Sequence, residues 1–197
     1  MRTAYATALV FAALLSGCSK VMSTPGIKQN PHPKQRYEIT MIIDGAPGPF
    51  DSVKASMGFH IANAADCVPQ DPISGAHPTA PYDSPITLTR VNDHMYSGAI
   101  YLDFAQDEDY YGKGVCHWEF VAADVELQSH GVLFISGLSL ESITSGKTVA
   151  RYAPKRLYLG SKVPNMVVGA EDMSDDKAKH RDEYFSIALM AKKTSHE

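Results

Sequence analysis

The chain has 197 residues, with 18 Lys and Arg against 22 Asp and Glu and a net charge of −4 at neutral pH. That mild acidity, without clustered Lys and Arg to neutralise phosphates, argues against a nucleic-acid partner and would suit a basic protein surface. About 180 residues beyond an N-terminal leader suffice for one domain with a sizeable core, and no composition break after residue 36 divides it.

The chain opens with Met1 and Arg2, runs apolar from Ala4 to Leu15, and closes this stretch on the small residues Ser16 and Gly17. This is the anatomy of a secretory signal, and the run is shorter than the roughly 20 apolar residues of a bilayer span. Leu15-Ser16-Gly17-Cys18 resembles the bacterial lipoprotein signal box. The resemblance implies cleavage before Cys18, lipid on its sulfur and amino group, and attachment to the bilayer through the acylated Cys18. Each buried methylene of such lipid contributes about 0.8 kcal/mol. Ser19 stands where lipoproteins kept at the inner membrane resemble one another in carrying aspartate. The resemblance therefore implies the outer membrane, facing the periplasm. Residues 1–17 then form a signal peptide, 18–35 a tether and 36–197 the folded domain.

With Cys18 spent on lipid, Cys67 and Cys116 remain. In an oxidising compartment they are expected to pair as a disulfide, stabilising by about 4 kcal/mol in the chain-entropy account. The tether "SKVMSTPGIKQNPHPKQ" mixes Pro, Gly, Lys and amides without apolar periodicity, which predicts a flexible coil with a reach of roughly 20 to 25 Å.

Beyond it, alternation with a period of two dominates. "RYEITMIID" places Tyr37, Ile39, Met41 and Ile43 on one face, and after the turn "GAPGPF", "VKASMGFHIA" does the same with Val53, Ala55, Met57, Phe59 and Ile61. The segment "DCVPQDPISGAHPTAPYDSP" carries five prolines and no period, and reads as a loop fastened at Cys67. "MYSGAIYLDF" groups Tyr96, Ile100, Leu102 and Phe104, while "VCHWEFVA" groups Cys116, Trp118 and Phe120. These two are expected to pair as a hairpin around a polar tip, with Trp118 in the core beside the disulfide. "ADVELQ", "GVLFISGLSL", "TVARYA" and "RLYLG" are further extended segments, "SDDKAKHRDE" a short surface helix from Ser174, and "EYFSIALMAK" a last strand with Phe185, Ile187 and Leu189 inward. The expected fold is a mostly β single domain, an antiparallel sandwich or partly open barrel with one or two short helices.

The polar tip, "DFAQDEDYYGKG", matches a calcium loop at Asp107, Asp109 and Gly112, but Tyr111 and Trp118 stand where ligands belong. It reads either as a solvated tip that discourages edge pairing or as a recognition loop. In the second reading Asp107, Glu108 and Asp109 steer a basic partner while Tyr110 and Tyr111 supply rigid contact area. Tyr82 and Asp83 join that surface if the fold brings the loops together.

Eight histidines show no metal-ligand spacing, so no metal or cofactor is expected. His60, His94 and His117 serve a hydrolase only if they gather with Glu119 in one pocket. Ser174 and Lys177 form Ser-x-x-Lys without its companion motifs, and "SGKT" at 145–148 has Glu141 where a phosphate loop needs glycine. The expectation is therefore a binding module and not an enzyme. In overall plan the chain resembles the periplasmic immunity lipoproteins that neutralise interbacterial effectors, such as type VI lipase effectors. That resemblance implies a secreted toxin as partner; an envelope assembly or structural lipoprotein is the alternative.

Overall fold

The computed structural model describes residues 26–163 and 165–194. The signal peptide, Cys18 and residues 19–25 lie outside the described residues. Among the described residues, period-two alternation becomes ten strands in two layers. In chain order β1 (Arg36–Asp44), β2 (Ser52–Ile61), the single turn α1 (Ala64–Cys67), β3 (Tyr82–Pro85), β4 (Leu88–Asn92) and β5 (Met95–Tyr101) come first. They are followed by β6 (Trp118–Ser129), β7 (Val132–Ser139), α2 (Leu140–Ser145), β8 (Val149–Pro154), β9 (Met166–Gly169), α3 (Asp175–Ala178) and β10 (Tyr184–Lys193). Sheet one has the order β4-β5-β1-β10-β8, and sheet two β3-β2-β6-β7-β9. All pairings are antiparallel except β7 with β9. The protein is a mostly β sandwich, not a closed barrel.

The inward faces are those the alternation marks. Ile39, Met41 and Ile43 of β1, Met57, Phe59 and Ile61 of β2, and Phe185, Ile187 and Leu189 of β10 are all buried. All but Ile61 meet Val125, Leu127 and Phe134 of β6 and β7 in one core. Burial of this kind stabilises by about 25 cal/mol per Å² of apolar surface.

The hairpin expected between "MYSGAIYLDF" and "VCHWEFVA" does not form: β5 lies in sheet one and β6 in sheet two. A strand that buries one face shows the same alternation whichever layer it joins, so periodicity does not choose its neighbour. Residues 102–117 instead cross between the layers, with Leu102 and Ala105 buried on the way. A tight hairpin joins β5 to β4, around Asp93 and His94. Gly98 permits it, because a Cβ there would stand 2.9 Å from the Thr87 carbonyl oxygen. "VCHWEFVA" and "ADVELQ" merge into the single strand β6, whose register with β2 shifts between Gly58 and Phe59. "RLYLG" is not extended: residues 155–157 form a 3-10 turn that buries Tyr158.

The strand registers define two ends. One, called near, gathers Arg36, Ile61, Tyr101, Trp118 and Lys193; the other, called far, gathers Asp44, Ser52, Met95 and Ser129. Residues 26–35, expected to be tether, run along the near end. Asn30 N donates to Phe104 O at 2.7 Å and Gln106 N to Lys28 O at 2.9 Å. The Asp103 carboxylate accepts from Lys34 N and Gln35 N, and Ile27 packs on the core. Backbone and polar groups hold this strap, which is why no apolar period announced it.

A candidate recognition surface clamped by a disulfide

At the near end α1 presents Cys67 to Cys116, and the two are joined with their Cα atoms 5.3 Å apart and both side chains buried. Asn63, one turn earlier, straddles the two loops this bond connects. Its Nδ2 donates to Val115 O at 2.9 Å and its Oδ1 accepts from His117 N at 2.8 Å. Around the sulfurs Ile61 and Val68 form a second small core, lined by Tyr110, Tyr111 and Trp118. Trp118 stands edge-on between Tyr82 and Tyr110, with ring centroids 5.9 and 6.3 Å away. It sits beside the disulfide as the sequence led one to expect. Tyr82 thereby joins this surface.

The Asp107–Tyr111 loop is part of the crossing between sheets, not a hairpin tip, and Asp107, Glu108, Asp109 and Tyr110 are each engaged within the protein, with Glu108 Oε2 left buried and without a partner. Asp107 accepts from Trp118 N at 2.9 Å and lies 2.7 Å from His117 Nδ1. Glu108 pairs with Lys28 of the strap, and that contact raises the ammonium pKa through the hydrogen bond first and the charge second. Cys116 N donates to Glu108 O at 2.9 Å. For Asp109, burial pushes the carboxyl pKa upward, but the backbone N–H groups of Gly114, Lys113, Gly112 and Tyr111 outweigh it and the net displacement is downward. The Tyr110 hydroxyl donates to Gln106 O at 2.7 Å and accepts from Lys28 N, while burial raises its pKa.

These bonds leave other groups outward. The neighbouring loop folds over the Asp71 carboxylate, which accepts from Ile73 N, Ser74 N and the Ser74 hydroxyl. This turn sets Ile73 in solvent at 96% exposure, and Val115 is 46% exposed on the other loop. His77 Nδ1, 2.7 Å from Val68 O, fastens the loop further along. Two apolar side chains are thus displayed on loops that a covalent bond and an amide hold together. Rigid display of this sort lowers the ordering cost of binding.

The other candidates separate. His60 lies 3.9 Å from Glu119 across β2 and β6, and His117 faces Asp107, both at the near end. His94 sits in the β4–β5 turn at the far end, so the four residues proposed for a hydrolase do not gather. Among the described residues no three His, Cys, Asp or Glu side chains are placed to hold a metal ion. The Ser174 hydroxyl accepts from Lys177 N, and Lys177 pairs with Glu171. In "SGKT", Gly146 caps α2 in the left-handed conformation.

Sequence reasoning missed Asn63 and Lys28, which no motif marks. It also missed a far-end cavity of about 400 Å³ between the β1–β2 turn and the β4–β5 turn, lined by Ile43, Pro49, Phe50, Arg90, His94 and Tyr96. The Pro-Gly turn beside an Asn-Asp turn was the available signal. On the outer face of sheet two, burial first, and then the charges of Asp83 and Glu126, raise the pKa of Asp124. No protein-family model, curated protein or solved structure matches this chain.

Proposed function

We propose that this chain is a protein-binding lipoprotein of the bacterial cell envelope, held in the periplasm by lipid on Cys18, and that it neutralises a secreted antibacterial effector. The near-end surface is the binding site. The observation that carries this reading is the clamp: a disulfide and Asn63 join the 63–81 and 105–117 loops and present Ile73, Tyr111 and Val115. Small anchors on a fixed frame suit a protein partner, since a few buried apolar groups carry most of the affinity at an interface. The disulfide fits an oxidising compartment, and the signal box supports the anchor.

The structure changes how the Asp107–Tyr111 loop is best tested. Reversing the charge of Asp107, Glu108 or Asp109 removes internal bonds as well as any steering of a partner. Ile73→Asp and Val115→Asp leave those bonds intact. Pull-down from detergent-solubilised membranes, read by mass spectrometry, should capture a secreted toxin, and the double substitution should weaken capture by at least about tenfold. Capture of an envelope assembly component would favour the alternative role. Undiminished capture by the double variant would remove this surface from the account. Labelled palmitate should enter the wild-type chain and not Cys18→Ala.

A further inference from the structure

The near end carries a second feature, a set of cations that form no ion pair among the described residues. Lys34 and Arg36 come from the strap and β1, Lys147 from the turn after α2, and Lys192 and Lys193 from the end of β10. The fold brings these stretches together. Arg36 and Thr194 exchange two hydrogen bonds, Arg36 Nη1 to Thr194 Oγ1 at 2.7 Å and Thr194 N to Arg36 O at 3.1 Å. Lys192 and Lys193 line a groove of about 400 Å³ with Tyr37, Ser145 and Gly146, the residue before Lys147.

All four lysines are exposed, and none forms an ion pair among the described residues. Elsewhere Lys28, Arg90, Arg151 and Lys177 are each paired with a carboxylate, whereas Lys54, Lys113, Lys155, Arg156, Lys162, Lys179 and Arg181 form no ion pair among the described residues. The nearby acids do not cancel the patch. Glu38 stands opposite Lys192 in register without forming an ion pair, Asp103 is engaged by backbone N–H groups, and Glu141 lies on α2. Met190, 40% exposed, lines the same groove and offers an apolar contact beside the charges. What sets the near-end set apart is its gathering: Lys192, Lys193 and the residue before Lys147 share one groove, with Arg36 tied to Thr194 beside it.

That end is also where the described chain begins. Lys28 and Gln29 are bonded to Glu108 and Ala105, so Gly26 emerges there. Cys18 precedes Gly26 by eight residues, which span at most about 28 Å when fully extended. We infer that the basic sheet-one side of the near end docks on anionic lipid headgroups, so that the sandwich stands on its membrane with the far end outward. The inference rests on the reading of Cys18 as the anchor. Charge complementarity selects an anionic bilayer as the occupant, and Met190 suits its interface. The cations sit on the side of sheet one and α2, whereas Ile73 and Val115 hang from loops that lead into sheet two. Docking therefore leaves the recognition surface open beside the bilayer, where it meets partners that work at the membrane.

The test is lysine footprinting of the full lipidated chain with an amine-acylating reagent, in vesicles of phosphatidylcholine alone or with about one-quarter phosphatidylglycerol. Reactivity of Lys34, Lys147, Lys192 and Lys193 should fall about tenfold in the anionic vesicles and recover in about 0.5 M salt. Lys54 and Lys162, remote from this end, should react equally in both. The pair Lys192→Gln and Lys193→Gln, at the exposed end of β10, should restore the reactivity of Lys34 and Lys147. Equal footprints in the two vesicle types, or protection of Lys54 instead, would overturn the inference. Flotation with the neutral vesicles reads the anchor by itself, and the footprint in anionic vesicles reads docking whatever flotation shows.

Discussion

At the far end the β1–β2 connection is short and takes its order from the core beneath it. Phe50, just after the β1–β2 turn, packs on Phe134, Phe185 and Tyr158, with ring centroids 5.4 to 6.3 Å away, and the Tyr158 hydroxyl donates to Pro49 O. At the near end the connections are long and polar. There order comes from a disulfide, from Asn63, and from Asp71, Asp103, Asp107 and Asp109 accepting backbone N–H bonds. Burying aromatic rings hides the groups that confer order. Clamping backbone with carboxylates and sulfur leaves apolar side chains such as Ile73 outside, where a partner can reach them.

Removing the covalent clamp is the harshest trial of this contrast. Cys67→Ala with Cys116→Ala should cost up to about 4 kcal/mol, with native-state strain subtracting from that figure. Hydrogen exchange should quicken in 63–81 and 105–117 and hardly change at 45–51 and 129–131. Equal loss at both ends would show that the near end is no separate unit. A smaller change addresses the other end. Tyr158→Phe keeps the ring against Phe50 and deletes the bond to Pro49, leaving that carbonyl unpaired, and should cost about 1 kcal/mol. Faster exchange should then be confined to 45–51 and its neighbours; spread to the disulfide loops would break the division.

The two ends also differ in how well they could be read from the sequence. The strands beneath both were legible, because Ile39, Met41 and Ile43, or Phe185, Ile187 and Leu189, must all face one layer. The disulfide followed from cysteine arithmetic once Cys18 was set aside. The near-end loops were visible only as polar and proline-rich stretches. Spacing does not tell whether a carboxylate such as Asp109 meets solvent, a partner or its own backbone, and the fold selects the last. The assignment of residues 26–35 to a tether had the same cause, since Asp103 and the 104–106 backbone reward no apolar pattern. The basic patch was illegible for a different reason: Lys34, Lys147 and Lys192 are far apart in the chain.

Acid offers the mildest probe of the same contrast. Backbone N–H of Ser74, then its hydroxyl, then Ile73 N–H hold the Asp71 carboxyl below its ordinary pKa, and four backbone N–H groups do so for Asp109 against the upward push of burial. The unfolded chain binds those protons at about pH 3.9. A folded pKa below that value means that the stabilisation is fully present above the unfolded pKa and fades as pH falls through the folded one. At the far end the 45–51 turn rests on the packing of Phe50 and on the Tyr158 bond to Pro49, and Asp51 accepts a single backbone N–H, from His130. Pepsin, which works in acid, should therefore cut first within 71–76 and 109–115 as pH is lowered from about 4 to about 2. The 45–51 turn should resist longer. Asp71→Asn with Asp109→Asn keeps one oxygen acceptor at each turn and should flatten the dependence. First cuts in the far turn, or an unchanged profile in the double variant, would mean that these carboxylates do not hold the near end.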